Sequence, residues 1–443
     1  MKYNPTLHKL SNGVTVILDP MDIETTHVKI CFNTGSRDEL PSEYGITHFC
    51  EHMLCKGTPR FPTRKDLNNF IHSHGGTFNA FTSPEELCFH GRILGDNLDK
   101  LLDLLSDLLC NSLFMPERIE LERIVILDEL RRAQDNKGRK QTDFITRTLM
   151  NKSSYQTLGT EENIKSFTRD QLLGWLSKRL SAKNCTIVIS GKIANSDAVL
   201  SKLESCFAFL PTHDVPENKT FNYRPAIAHH SSNETKNVNI FIAIPRRFDR
   251  SEQYKFERLC EQRFKKYLQD ELFEEIRQKH GLVYGITVKS IGYEQGMHFI
   301  ETECQSQHVA KVVELIASTC SNVYNKKPIT DKWLKQYFSM CQLGDADWLD
   351  SWDERSCDLL YTYRDTGKLY DRFGVIETVR GITAADVQKH TLGFFDVPIS
   401  IVTDGPDFNA DLGAIWKQNF PNSNISLTAN DIISQIHSGK TSR

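Results

Sequence analysis

Two histidines and a glutamate lie within five residues, in the run Gly45-Ile-Thr-His-Phe-Cys-Glu-His-Met-Leu-Cys-Lys-Gly57, in a chain of 443 residues that has only 15 histidines. On a helix His48 and His52 are one turn apart and face the same side, as two ligands of one metal ion must. Ile46, Phe49, Cys50 and Met53 form a separate apolar stripe, which gives the helix a core face distinct from its His/Glu face. Two imidazoles suit zinc, and a catalytic zinc ordinarily has three protein ligands and one position left for water. Glu122 and Glu129, seven residues or about two turns apart on one expected helix, can each supply the third ligand while the other orients a ligand from behind. Glu51, beside the two histidines, is placed to take a proton from a zinc-activated water as that water attacks a carbonyl, and then to pass it to a leaving amine.

The elements that must hold these residues are legible in outline. Asn12-Gly13 marks a turn in a hairpin from Leu7 to Leu18, followed by a strand from about Val28 to Asn33. The histidines fall on a helical stretch. A helix over Thr63 to Ser73, two strands between Thr77 and Leu94, and helices over Leu98 to Leu109 and Glu117 to Arg132 follow. A helix from Arg169 to Leu180, a strand from Thr186 to Ser190 and a helix near Ala198 to Phe209 extend the unit. From Pro211 to about Lys236 the pattern dissolves into Pro, Asn, His and Ser, which reads as an interdomain linker.

After the linker the order repeats at an offset of about 210 residues. Pro116 before a long helix is echoed by Pro328, the Leu98 helix by His308 to Ser318, and "FTRDQLLGWLSKRLSAKNCTIVISG" by "ITAADVQKHTLGFFDVPISIVTDG". A repeat of that length is a duplicated domain. The expected class is α+β, two copies of one domain over 1–215 and 216–443, each a mostly antiparallel sheet covered by helices. The second copy has lost the chemistry: the positions matching His48 to His52 fall near Leu259 to Arg263, and Cys341 stands where Glu129 would be.

Composition narrows the function classes. Apolar residues are 39 % and charged residues 25 %, with Lys+Arg 54 against Asp+Glu 57. The net charge of -3 gives no case for nucleic acid or an anionic membrane as a partner. No window approaches an apolar span, and the first residues lack an apolar leader. The twelve cysteines show no CxxC pair and no short-range framework, which suits reduced thiols and a cytoplasmic protein. Cys50 reads as a small core residue, whereas Cys55 falls on the ligand side of its helix, one turn past Glu51, and is a thiol candidate near the metal.

"HFCEHMLCKGT", then "GGTFNAFT" at Gly75 to Thr82 and "ERIVILDEL" at Glu122 to Leu130, resembles the inverted zinc motif family of pitrilysin, insulin-degrading enzyme and the mitochondrial processing peptidase, in its half-length bacterial form. The resemblance covers nearly the whole chain. It implies one zinc per chain held by His48, His52 and Glu129, with Glu51 as the base and Glu122 behind a ligand. It also implies that Asn79 and Ala80 lie on an edge strand that pairs with an extended peptide substrate. "LFEEIRQKHGLVYG" in the second copy matches the family's substrate-contacting arginine and tyrosine at Arg277 and Tyr284, suited to holding a carbonyl and an oxyanion. The family's full-length members close two halves into a clamshell chamber. For a half-length chain this implies a homodimer, or a heterodimer with a motif-free relative. The expected activity is therefore a zinc endopeptidase acting on unfolded or extended peptides, and the alternative is a non-catalytic scaffold or partner subunit of a processing-peptidase-like complex.

Overall fold

The computed structural model describes residues 3–150, 156–216, 223–232, 235–246, 252–291, 296–421 and 423. The fold is α+β, with two sheets and helices around each. Residues 217–222 and 233–234 of the expected linker lie outside the described residues.

The first sheet is built from β1 (Thr6–Lys9), β2 (Thr15–Pro20), β3 (Thr25–Phe32), β4 (Thr77–Thr82), β5 (Leu87–Leu94) and β6 (Cys185–Gly191), in the order β1-β2-β6-β3-β5-β4. Only β2 and β6 run parallel. The same stretch of chain also forms the helices α1 (Ile46–Leu54), α2 (Arg64–Ser73), α3 (Leu98–Asn111), α4 (Pro116–Asp135), α5 (Lys137–Met150), α6 (Glu161–Ser166), α7 (Arg169–Arg179) and α8 (Ser196–Phe207). The expected hairpin is present, with Gly13 at φ +99° in its turn, a conformation that suits glycine.

The second sheet contains β7 (Ile227–Ser231), β8 (Asn237–Pro245), β9 (Ile286–Ile291), β10 (Met297–Gln305) and β11 (Ser400–Gly405), in the order β7-β11-β8-β10-β9, with β7 and β11 parallel and the other pairs antiparallel. This part of the chain also forms the helices α9 (Glu252–Leu272), α10 (Val309–Asn325), α11 (Asp331–Asp350), α12 (Trp352–Thr366), α13 (Arg372–Gly381), α14 (Ala384–Thr391) and α15 (Leu412–Lys417). The order and direction of β2-β6-β3-β5-β4 are reproduced strand for strand, so the duplication read from the sequence is a duplication of topology. Among the described residues the second sheet has no counterpart of β1.

Contacts group the chain into two compact units, and neither is one continuous stretch. Among the described residues, those of 344–370 pack with those of 1–140 and 154–220, whereas those of 141–153 pack with those of 221–343 and 371–443. We propose 1–215 and 216–443 as the sequence repeats; each packing unit trades one helical segment with the other repeat. The burial of the strands explains the exchange. β2 and β3 are buried along almost their whole length, so both faces of the first sheet need cover. Val16, Leu18, Val28, Ile30 and Phe32 face the large core with α1, α3 and α7. Ile17, Cys31, Cys88 and Val188, on the other face, pack against Leu359 and Leu360 of α12. In the other unit Leu149 of α5 covers Phe241, Ala243, Phe299 and Val402 in the same way.

The cover is fastened by polar contacts. Arg355 of α12 donates from Nε to Asp19 at 2.9 Å and from a second nitrogen to the other carboxylate oxygen, and both side chains are fully buried. One expectation about the cysteines is corrected here. Cys31 and Cys88 stand directly opposite each other on β3 and β5 and form a disulfide, while the other ten are free. The pair is set by strand register between residues 57 apart, which sequence spacing does not reveal.

Candidate metal centre

α1 carries His48, Glu51 and His52. Its start is fixed by two devices. Gly45 sits at φ +94°, where an added Cβ would lie 2.5 Å from the backbone of Gly159, so only glycine fits the entry. The buried N–H groups of Gly45 and Thr47, which have no partner within the helix, donate to the buried carboxyl group of Glu39 at 2.8 and 3.0 Å, an N-terminal cap supplied from outside the helix. Burial pushes the Glu39 carboxyl up to about 8. Ile46, Phe49, Cys50 and Met53 are all buried, so the expected stripe anchors the helix and turns His48 and His52 away from the core.

α4 packs against α1 and presents Glu122 and Glu129 to it. Glu129 is 3.7 Å from His48 Nε2 and 3.5 Å from His52 Nε2, and one ligand atom from each residue lies within 4.8 Å of the other two. Donors bound tetrahedrally to one zinc are about 3.4 Å apart, so these three atoms fit a shared ion. Among the described residues this is the one group of histidine, cysteine and carboxylate side chains with such spacing. The two histidines are held differently. His52 donates from Nδ1 to Glu122 at 3.0 Å, which leaves Nε2 to face Glu129. His48 Nδ1 is buried without a hydrogen-bond partner, so no hydrogen bond at that nitrogen fixes the ring.

The charges are consistent with a polarised pocket. Burial lowers His48 to about 4, helped by the nearby His52. At His52 burial also acts downward, but hydrogen bonds to Glu122 and Glu129 prevail and raise it to about 9. The His52 bond is the main force that holds Glu129 below its ordinary range. Glu122 feels burial upward, yet His52 and Lys56, the latter at 2.8 Å, keep it low. Glu51 is raised by burial, against the pull of a hydrogen bond donated by Thr82 at 2.7 Å.

Asn79 and Ala80 lie on β4, the outermost strand of the first sheet beside β5, with Asn79 exposed and Ala80 buried. Thr82 ends the same strand, so β4 and Glu51 are joined by the Thr82 hydroxyl. Cys55 is buried at the C-terminal end of α1, its thiol pushed up to about 11 by burial, and it is not part of the His48/His52/Glu129 group. Glu39, Lys56 and Thr82 are the supporting residues that sequence spacing does not single out. Each acts across a tertiary contact, and only Lys56, one turn past His52, stands at a helical distance that could have signalled it.

Arg277 and Tyr284 belong to the second unit and meet each other there. The guanidinium lies 5.6 Å from the centre of the Tyr284 ring, and Tyr284 is 85 % exposed. Arg277 sits in a π-helical turn, Phe273–Lys279, that ends α9, a wider winding that recurs at functional sites.

A duplicated α+β chain with an HxxEH helix in its first copy only is the class that fold and site define. Residues 15–161 match the family described as Insulinase (Peptidase family M16), and 166–338 match the Peptidase M16 inactive domain. An uncharacterized zinc protease of Rickettsia bellii (strain RML369-C) is 27% identical over 431 residues, covering 92% of this chain and 99% of the relative. The mitochondrial-processing peptidase subunit beta of Dictyostelium discoideum is 33% identical over 211 residues, 47% of this chain and 45% of that one. The crystal structure of the periplasmic protease PqqL from Escherichia coli has the same fold with a TM-score of 0.80 at 17% identity, over 97% of this chain and 51% of that chain. The chain belongs to the M16 (insulinase) peptidase family, as a half-length member. No helix among the described residues is long and apolar enough to cross a membrane.

Proposed function

We propose that this chain is a zinc-dependent endopeptidase that cleaves unfolded or extended peptides. The observation that carries the reading is the convergence of His48, His52 and Glu129, whose ligand atoms lie within 4.8 Å of one another. These three would hold one zinc, with Glu122 orienting His52. A zinc bound there supplies a Lewis acid that polarises the scissile carbonyl and lowers the pKa of water towards ~7.

Glu51 accepts the proton of the attacking water and returns it to the leaving amine. Its burial, which raises its proton affinity, suits a base that must also act as an acid near neutral pH. β4 offers the free edge to which a substrate backbone adds as a further strand, through main-chain bonds on either side of Asn79 and Ala80. That mode explains the restriction to extended peptides, since a folded segment has no free backbone to pair. Arg277 and Tyr284 complete the reading as residues that hold the substrate carbonyl and the oxyanion.

In a homodimer each subunit's Arg277 and Tyr284 serve the partner's zinc site, and two equivalent sites follow from the two-fold axis. A heterodimer with a motif-free relative is the second assembly, favoured by the likeness to a protein named as a subunit. A cytoplasmic location is part of the same reading, which the ten free cysteines favour and the Cys31–Cys88 disulfide weighs against.

The test is a pair of variants. Glu51→Gln should keep one zinc per chain and lose most peptide hydrolysis, whereas His52→Ala should lose the metal as well. Elemental analysis without zinc in the wild type, or near-normal turnover by Glu51→Gln, overturns the reading. Mixing Glu51→Gln with Tyr284→Phe should restore activity if sites are shared in trans. No recovery despite subunit exchange removes the homodimeric arrangement.

A further inference from the structure

On the face of the first sheet opposite the metal centre, Lys29 of β3 and Cys357 of α12 are set against each other. The Lys29 side chain is 8 % exposed, and its Nζ lies 2.8 Å from the Cys357 sulfur and 2.9 Å from the Asp353 carboxylate. A separation of 2.8 Å is ordinary between nitrogen and oxygen, whose hydrogen bonds span about 2.7–3.2 Å, but it is short for nitrogen and the larger sulfur atom. It is also far longer than a direct nitrogen–sulfur bond. The contact is a close N–H···S hydrogen bond, and a single bridging oxygen atom would hold nitrogen and sulfur only slightly nearer to each other than they already stand.

We propose that Lys29 and Cys357 are the site of a reversible oxidative cross-link, in which a single oxygen atom joins the lysine nitrogen to the cysteine sulfur and ties α12 to the sheet. The co-reactant is dioxygen. One N–H and one S–H bond break while N–O and O–S bonds form around one atom of dioxygen, and the other oxygen leaves as water with the two hydrogens. Counted from ammonium and thiol, the step also releases one proton to solvent. Nitrogen and sulfur together lose four electrons and dioxygen gains four, so the step balances. Excess dithiol reverses it, returning amine, thiol and water.

Three features of the site favour this chemistry over the usual fates of a thiol. The amine is nearly buried and held by Asp353, so it is kept beside the sulfur and does not explore solvent. Asp353 is itself 58 % exposed, which gives a small oxidant a way in. The sulfur is half-buried against the sheet, which hinders access by a bulky thiol. The same strand carries Cys31 on the same face, already paired with Cys88, so this face of the sheet holds oxidised sulfur in the structure.

The consequence is mechanical. α12 comes from the second repeat and covers the first sheet, so the link would convert a packed contact between repeats into a covalent one.

The experiment uses the full chain, one portion kept under dithiol and one exposed to dioxygen, digested without reductant and read by mass spectrometry. The exposed portion should contain the Lys29 and Cys357 fragments joined, heavier than the two together by one oxygen less two hydrogens. The joined species should vanish with dithiol and be absent from Cys357→Ser and from Lys29→Arg, which keeps the ion pair with Asp353. The thermal midpoint of the wild type should rise on oxidation by more than that of Lys29→Arg, because the Cys31–Cys88 bond is common to both. Unjoined fragments after exposure, a link without the added oxygen, or Cys357 recovered as a disulfide or sulfinic acid beside free Lys29, each overturns the proposal. The wild-type digest decides even where a variant fails to fold.

Discussion

Thr82, the last residue of β4, donates its hydroxyl hydrogen bond to Glu51 at 2.7 Å. The strand proposed to receive the substrate and the carboxylate proposed as base are thus joined through one side chain. The bond fixes the Glu51 carboxylate relative to β4, and a substrate paired with that strand inherits the alignment. Removing the hydroxyl by Thr82→Val keeps the shape and strand propensity of the side chain. Loss of about 1 kcal/mol of positioning should lower kcat roughly fivefold to tenfold, with KM and zinc content nearly unchanged. Steady-state kinetics on an extended peptide, with metal analysis of the same sample, reads the result.

Glu122 touches no proposed substrate position, yet it fixes the ring of His52 and is itself held by Lys56. Glu122→Gln should weaken zinc binding by roughly 10–100-fold while leaving the fold intact. Competition against a zinc chelator measures the change, and unaltered affinity would show that the His52 ring does not need Glu122 to orient it.

Asp19 and Arg355 are both fully buried, so either charge left alone is costly. Asp19→Ala or Arg355→Ala should lose ~3–5 kcal/mol of stability, whereas replacing both with apolar residues of similar volume should recover most of that loss. Denaturant unfolding of the two single variants and the double variant checks this, and it also reports how firmly α12 is seated on the sheet.

Glu39 gives a pH dependence whose sign can be worked out. Its carboxyl is raised from the ordinary 4.5 to about 8 in the fold, so the folded chain binds the proton more tightly than the unfolded one. That contribution is complete below about 4.5 and is lost as pH rises through about 8. The thermal midpoint of the wild type should therefore decline between about pH 5 and pH 9 more steeply than that of Glu39→Gln. At the low-pH end the two should be nearly equal, because the protonated carboxyl, like the amide, offers one carbonyl oxygen to the helix N–H groups. Parallel slopes would show that Glu39 does not titrate in this window.

The sequence by itself determined a good deal of this protein. The one-turn spacing of His48 and His52, the opposite stripe of Ile46, Phe49, Cys50 and Met53, and the two-turn spacing of Glu122 and Glu129 are local regularities of a helix. A helix keeps those angles wherever it packs. The duplication was legible for a similar reason, because each copy repeats its own order of apolar periods and turns. Only the tertiary structure decided which surfaces meet. Buried strands announce that both faces of a sheet need cover, but not that α12 covers the first and the end of α5 the second. The same holds for Cys31 opposite Cys88, Glu39 beneath the start of α1, and Thr82 against Glu51. Periodicity encodes which side of an element is apolar, and register and chain crossing choose its partner; those choices are made by the packing of residues far apart in the chain, where no short pattern records them.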